Sequence, residues 1–441
     1  MKRGLCGLVV LACAALGAPP DAGAEPSDAK KDQEKRTGPL ATLPSKPGPH
    51  VEKIKALGDN EWLNLGAPAA DPKWGKARGR SWSSNMPFAP DVRGAFVFAE
   101  GVHAYVKPDG RYMNDLWFYD ANAHRWVCLY PGIEVKTVAQ RIKDKELALN
   151  ADGLLVEKDG QPLPPLLIHA YGYLGYDPDR RRFAFFGSQF GNYFTTGKGG
   201  VFEEANKLFE EARKGKKFPS TSPFFYDAAS GKIEYFPVAN APKGKPYGAN
   251  LLVYVGSKKQ FFYGGSDGVW FLDPEKRTWA DAKPKGEPPS GIDRCAAYDA
   301  TRDRIYHHGK GDKAAENDFL VYDVKGNAWS HPKPKGTGPA YSSSYESVFN
   351  YDAGADRLVV IRLYNTKDEP GLRRGVYAYD PAANGWADPL PLPAEVVKGI
   401  KNGNFGFYDP ELNAYFCHFA SDSSDDGSMW VYRYKKAAAK K

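Results

Sequence analysis

Short apolar runs rich in aromatic residues recur along the chain, and each ends in an aspartate. A few positions further on, a second aromatic residue follows. Alternation of this kind, bounded by turn-forming residues, predicts β-strands, and the aspartate is suited to start a turn by accepting backbone N–H groups. The five clearest copies are 116–120 with Trp126, 224–227 with Tyr235, 269–273 with Trp279, 319–323 with Trp329 and 376–380 with Trp386.

Two further apolar runs precede each of these hairpins. The first run commonly ends in Tyr-Asp, a short turn rich in Pro, Asp or Gly follows, and the second run begins directly after it. Four strands joined by tight turns predict an antiparallel meander. The first runs are 170–177, 250–255, 295–299, 347–352 and 404–409, and the second are 182–186, 260–263, 304–306, 357–361 and 414–419.

The complete unit recurs roughly every 40–50 residues, which is the period of a β-propeller blade. A sixth copy at 429–432 has no fourth strand after it, whereas the run 60–65, which carries Trp62, stands alone near the start. We therefore predict that residues 60–66 complete the sixth blade. Such a splice closes the ring and removes a free sheet edge.

The box from Asp115 to Asp120 with Trp126, and the diglycine Gly264-Gly265 after an apolar strand, resemble the kelch repeat. This family of β-propellers includes the central domain of galactose oxidase. The resemblance implies an all-β, six-bladed kelch-type propeller over residues 59–434. It is specific for the fold and says little about activity, because function depends on the site rather than on the scaffold.

Two insertions break the repeat at residues 132–165 and 190–222. The first contains a stretch with helical character at 135–149, and the second has apolar residues at helical spacing over 202–212. In a four-stranded meander, the connections between blades and those between the second and third strands emerge at the same end. We therefore expect two small helical insertions on one face.

The first residues of the chain predict that the protein is exported. Residues 1–24 resemble a secretory signal peptide, with a basic start and an apolar stretch too short to span a bilayer. The alternative is lipoprotein processing, with a lipid anchor at Cys13. Residues 25–58 are rich in Pro, Lys and Gly and predict a disordered linker, and residues 435–441 form a basic tail. The mature protein is then secreted or periplasmic, without a membrane span.

Charge and cysteine content narrow the function. The net charge of +7 comes largely from the tails, and no dense basic run marks a nucleic-acid surface. Cys128, Cys295 and Cys417 are far apart and lack metal-ligand spacing, so we expect buried thiols. His307 and His308 are adjacent in one strand and point to opposite faces, which argues against a shared metal. No metal or other cofactor is predicted.

A candidate site lies where the innermost strands begin, at the mouth of the central channel on the insertion-bearing face. Polar side chains there suit a polar or anionic ligand, or an acidic peptide, although a water-filled channel gives the same pattern. We predict a monomeric scaffold that binds a protein or glycan; the alternative is a carbohydrate-acting enzyme of the oxidase or epimerase type. The candidate residues are Arg93, His169, Tyr247, Asn250, Arg294, Ser347 and Asn404.

Overall fold

The fold is a six-bladed β-propeller, as the sequence predicted. The computed structural model describes residues 37–80, 86–98, 106–165, 172–186, 200–213, 223–236, 241–242, 251–265, 268–289, 295–310, 317–339, 347–363 and 374–436. Within these residues, six four-stranded sheets form the blades, and one two-stranded sheet lies apart from them.

The strands of the six blades follow the predicted order. In chain order the strands are β1 (Glu61–Gly66), β2 (Phe88–Ala89), β3 (Gly94–Phe98), β4 (Leu116–Asp120), β5 (Arg125–Tyr130), β6 (Leu147–Leu149), β7 (Leu155–Glu157), β8 (Leu174–Asp177), β9 (Arg182–Phe186), β10 (Pro223–Asp227), β11 (Ile233–Tyr235), β12 (Leu251–Val255), β13 (Gln260–Gly265), β14 (Gly268–Asp273), β15 (Thr278–Asp281), β16 (Cys295–Asp299), β17 (Arg304–Lys310), β18 (Asn317–Asp323), β19 (Ala328–Ser330), β20 (Ser347–Asp352), β21 (Arg357–Arg362), β22 (Gly375–Asp380), β23 (Gly385–Trp386), β24 (Phe405–Asp409), β25 (Ala414–Phe419) and β26 (Ser428–Arg433). The helices are α1 (Pro49–Ala56), α2 (Val138–Lys143), α3 (Glu203–Arg213) and α4 (Ala394–Gly399), with a 3-10 turn at Val135–Thr137.

Consecutive strands form blades 1 to 5, which are β2–β5, β8–β11, β12–β15, β16–β19 and β20–β23. Blade 6 contains β24–β26, and its outer strand is β1 from the start of the chain. Trp62 pairs with Tyr432 in the antiparallel register of β1 and β26, and their ring centroids are 4.6 Å apart. The prediction that residues 60–66 close the ring is confirmed.

Aromatic side chains fill the seams between blades. Trp329 on the outer strand of blade 4 lies 5.1 Å from the ring of Tyr322 in its own blade and 6.2 Å from Phe262 in blade 3. Trp126, Trp279 and Trp386 are likewise buried. Burial of one such ring contributes about 1.5–3 kcal/mol, so the repeated aromatics are core residues that hold each blade against its neighbour.

Residues 37–60 form a segment that we call the strap, which runs from blade 2 past blade 1 to β1. Leu40 and Leu43 are fully buried in the core between blades 1 and 2, and α1 buries Val51 and Ile54. The guanidinium of Arg433 donates to the carbonyl of Leu57. The prediction of a disordered linker is therefore wrong for residues 37–58, because scattered apolar residues find separate sites on the blades.

The two insertions share one small core, which we call the insertion core. Val138 of α2, Leu147 of β6 and Leu155 of β7 pack with Phe202 and Phe209 from the second insertion. The predicted helix in the first insertion is shorter than expected, because 147–149 pairs with β7 in the two-stranded sheet. The helix predicted in the second insertion is present as α3. Among the described residues, no helix has the length and apolar character needed to cross a membrane.

Candidate functional site

The structure describes only part of the predicted channel mouth. His169, Tyr247, Asn250 and Arg294 lie outside the described residues. Ser347 begins β20, where its backbone pairs with Arg362. The innermost strand of blade 5 thus starts at the predicted position.

Asn404 also lies at the start of an innermost strand, one residue before β24. Its side chain is 1% exposed. The amide nitrogen donates to the carbonyl of Lys401 at 2.6 Å, and the amide oxygen accepts from the N–H of Lys401 at 3.1 Å. Both functions of the amide therefore hold the turn that leads into β24.

Arg93 lies at the other end of its blade from the predicted mouth. It closes the turn between β2 and β3, with a φ of 55°. In each of the other five blades, the corresponding residue in the turn between the two inner strands also has a positive φ. These residues are Arg181, Lys259, Asp303, Asp356 and Asn413. Because β2 has only two residues, its alternation could not show that Arg93 follows the strand instead of starting it.

Arg93 belongs to a circuit of polar contacts that links neighbouring blades at this end, which we call the turn ring. Its guanidinium donates to both carboxylate oxygens of Asp409 at 3.0 and 2.6 Å, which joins blade 1 to blade 6. At the other five seams the side-chain contacts are Tyr176 to Asp91, Tyr254 to Asp179, Ser257 to Asp303, Arg302 to Asp356, and Tyr408 to Asp352.

Two carboxyl groups of the turn ring have shifted pKa values. Burial raises the pKa of Asp409, although Arg93 opposes the shift. The hydrogen bonds from Arg302 lower the pKa of the more exposed Asp356 to about 2. These carboxylates are engaged by neighbouring blades, so the ring is a structural device that the sequence did not reveal.

A second buried ionic cluster lies between the end of β1 and blade 1. Arg80 is fully buried and donates to Asp115 at 2.8 Å, while the indole N–H of Trp117 donates to the other carboxylate oxygen at 2.7 Å. Burial would raise the pKa of Asp115, but the charges of Arg80 and Lys107 outweigh it and hold the pKa below its usual value. The first residue of the kelch-like box thus anchors the chain that enters blade 1.

The histidines are packed within the aromatic core. His307 lies 4.9 Å from the ring of Trp329, whereas His308 lies 6.3 Å from Phe349 on the other face of the strand. His418 is buried beside Trp126, and burial lowers its pKa to about 3, so it is neutral at pH 7. In the described part of the chain, no group of three or more His, Cys, Asp or Glu side chains is placed to hold a metal ion.

The acidic loop at 422–427 uses its carboxylates in contacts within the protein. Arg78 contacts Asp425 at 2.8 Å, Lys401 contacts Asp426 at 3.2 Å, and Asn402 donates to Asp422 at 3.1 Å. The side chain of Asp425 is 57% exposed, so the loop is a solvated surface feature with its own ion pairs.

Sequence reasoning missed a cleft formed by the first insertion and the loop that leads into β4. Its volume is about 420 Å³, within the ~300–1,000 Å³ typical of small-molecule sites. We call it the insertion cleft, and its lining includes Arg111, Tyr130, Pro131, Gly132, Ile133, Glu134, Thr137, Arg141, Glu146 and Glu157. A second cleft of about 290 Å³ lies between the β6–β7 hairpin and β11.

Comparison with known proteins finds distant structural similarity. No protein-family model matches the sequence, and no curated protein matches it. TolB from Acinetobacter baumannii aligns with a TM-score of 0.39 and 11% identity over 80% of this chain; the chain spans 66% of TolB, just under two thirds. Oligogalacturonate lyase from Vibrio parahaemolyticus aligns with a TM-score of 0.39 and 10% identity, over 85% of this chain and 98% of the lyase. Neither protein's activity can be carried over to this chain at these values.

Proposed function

We propose that this protein is a kelch-type propeller, secreted or periplasmic, which acts as a binding scaffold through its insertion-bearing face. The signal-like residues 1–24 support export, and the repeated boxes support the kelch assignment. The proposed partner is a protein or a glycan.

The observation that carries this proposal is the insertion core. Val138 and Leu147 come from one insertion and Phe202 from the other, yet the three side chains are buried together outside the six blades. None of the blade-to-blade contacts of the turn ring involves them. Ordered loops that add a core of their own to a scaffold are commonly functional, because the scaffold does not require them for its own packing.

Site-specific photo-crosslinking tests this face. A crosslinker at Lys207, on the exposed side of α3, should capture a defined partner from extracts of the producing cells. A matched crosslinker at Lys276, which is exposed in the turn between β14 and β15, should not capture it. The captured partner must then bind the purified protein with a measurable Kd. Equal capture at both positions would contradict the proposal.

We also propose that the mouth of the central channel binds a ligand. A site there that includes Arg294 should lose ligand binding or turnover in Arg294→Ala without a change in melting temperature. The carbohydrate-acting alternative additionally requires turnover of a sugar, which release of product from candidate oligosaccharides would detect. Full binding and activity in Arg294→Ala would remove this residue from the candidate site.

A further inference from the structure

The insertion cleft has walls that are fixed without a ligand. The N–H of Tyr112 donates to the carbonyl of Ile133 at 2.8 Å, and the N–H of Val135 donates to that of Gly110 at 3.1 Å. Gly132 lies directly before Ile133 with a φ of 87°, and a Cβ at this position would be 2.1 Å from the carbonyl oxygen of Tyr112. Only glycine allows this close pairing, so one wall is held in place by the backbone.

The opposite wall is held by the insertion core. Arg141 lies on α2, and Val138 of the same helix is buried in that core. Glu157 is the last residue of β7. A preformed cleft does not spend binding free energy on ordering its own walls. The site therefore meets the first requirement for binding a small ligand.

The charged side chains in the cleft pair with one another. Arg141 donates to Glu146 at 3.4 Å and to Glu157. Arg111 donates to the carbonyl of Gly132 at 3.0 Å, with its other terminal nitrogen 4.0 Å from Glu134. The side chains of Arg141 and Glu157 are 27% and 30% exposed, so they are still accessible from the cleft.

These pairs leave hydrogen-bonding capacity unused. A guanidinium has five N–H donors and a carboxylate has about four acceptor positions, and the contacts above occupy only some of them. Donors and acceptors therefore lie side by side within about 420 Å³. Tyr130, Pro131 and Ile133 add apolar surface to the same cleft.

The balance of charge selects the ligand class. Two arginines and three glutamates line the cleft, so an anion would approach carboxylates and a cation would approach guanidinium groups. A hydroxyl group both donates and accepts, so neighbouring hydroxyls can bond to an arginine and a glutamate together without adding charge. We infer that the insertion cleft binds a neutral, hydroxyl-rich ligand with the chemistry of an uncharged oligosaccharide. This inference rests on the proposed function, because it names the ligand class of the binding face.

Titration calorimetry on the full-length protein tests the inference with three soluble oligosaccharide sets: neutral, uronate-bearing and amine-bearing. A neutral oligosaccharide should bind saturably and more tightly than its charged counterparts. Arg141→Gln should weaken that binding by about tenfold or more, the range for loss of a hydrogen bond to a charged group. Lys143→Gln is the matched control on the same helix; Lys143 pairs with Glu204 outside the cleft lining, so its affinity should not change.

Three results would overturn the inference: no binding by any neutral oligosaccharide, tighter binding by a charged set, or full affinity in Arg141→Gln. If Arg141→Gln lowers the melting temperature, Glu134→Gln decides instead, because Glu134 is half-exposed on the other wall. A protein partner captured at Lys207, without binding of neutral oligosaccharides, would leave the proposed function intact and remove the inference. Failure of both experiments would remove both.

Discussion

The two ends of the blades are built differently. At the turn end, each connection between the inner strands closes on a residue with positive φ, and the turn ring links all six seams. At the opposite end, the connections differ in length and carry the insertion core and the insertion cleft. The turn end links the blades to one another, and the other end is therefore free to vary in the length and structure of its connections.

The largest effect should follow removal of the segment that closes the ring. A chain that begins after Gly66 lacks both the strap and β1, so it exposes the edge of β26 and the sites of Leu40 and Leu43. The loss should be comparable with the whole stability of a domain, on the order of 5–15 kcal/mol. Thermal unfolding should show no cooperative transition, whereas a chain that begins at residue 37 should melt like the full protein. A cooperative transition in the chain that begins after Gly66 would show that the ring is stable without its closing strand.

The next largest effect should come from Arg93→Ala in the turn ring. Asp409 would remain buried without its bidentate partner, and loss of one member of a buried ion pair costs about 3–5 kcal/mol. Denaturant unfolding measures the change. The double variant Arg93→Ala, Asp409→Asn should recover part of the loss, because no charge is then left buried. If Arg93→Ala lowers the free energy of unfolding by less than about 1 kcal/mol, the contact does not support the seam.

A smaller effect is expected at Asn384, which links the outer strands of blades 4 and 5. Its side chain accepts from the hydroxyl of Tyr379 at 2.9 Å and donates to the carbonyl of Pro332 at 2.6 Å. Asn384→Gly keeps the positive φ but removes both bonds, so we expect a loss of about 1–2 kcal/mol. Lys283→Gly is the control, because Lys283 has the same backbone conformation with an exposed side chain. If both variants lost the same free energy of unfolding, the cause would be the added backbone freedom of glycine and not the two hydrogen bonds of Asn384.

His124 occupies in blade 1 the position that Asn384 has in blade 5, and it should make stability depend on pH. Burial, with a smaller contribution from His50, lowers the pKa of His124 from its usual 6.5 to about 4. Between these values the unfolded chain binds a proton that the folded protein does not, so stability falls as the pH drops from about 6.5 to about 4.

The variant His124→Asn should remove this part of the pH dependence. Because the ring is partly exposed, we expect the fall between pH 7 and pH 4.5 to be smaller by about 1–2 kcal/mol than in the unaltered protein. Asparagine can retain the hydrogen bond that His124 makes with Tyr119 at 2.7 Å. Chemical denaturation at several pH values measures the free energy of unfolding of both proteins. An equal fall with pH in the two would show that His124 is not the source of the pH dependence.

The smallest effect is expected at the insertion end. Lys143 pairs with Glu204 across the two insertions, but both side chains are largely exposed. Exposed pairs contribute little, so Lys143→Ala should leave the melting temperature unchanged within error. A large drop would mean that this end also supports the ring, and the contrast between the two ends would not hold.

The repeat could be predicted from the sequence because each copy shows the same alternation and carries an aromatic residue on its outer strand. The solitary run with Trp62 and the incomplete last copy also predicted the closure. These features are local or periodic, so they are visible along a single chain.

The remaining features depend on contacts between distant residues. Leu40 and Leu43 lie in a segment rich in proline and lysine, and no period indicates that both are buried in the core between blades 1 and 2. Arg93 was assigned to the wrong end of its strand because two residues are too few to show alternation. The insertion cleft combines Arg111 with Arg141 through pairing of 110–112 with 133–135, which the sequence does not display.

The pairing of β1 with β26 also sets the order of folding. Tyr432 donates to Asn60 across 372 positions of the chain, so the first strand has no partner until synthesis has reached β26. Contacts of such long range form slowly, and an unpaired edge is exposed to aggregation in the meantime. A nascent molecule therefore stays open until β26 has been made, and only then can the two distant strands seal the circle.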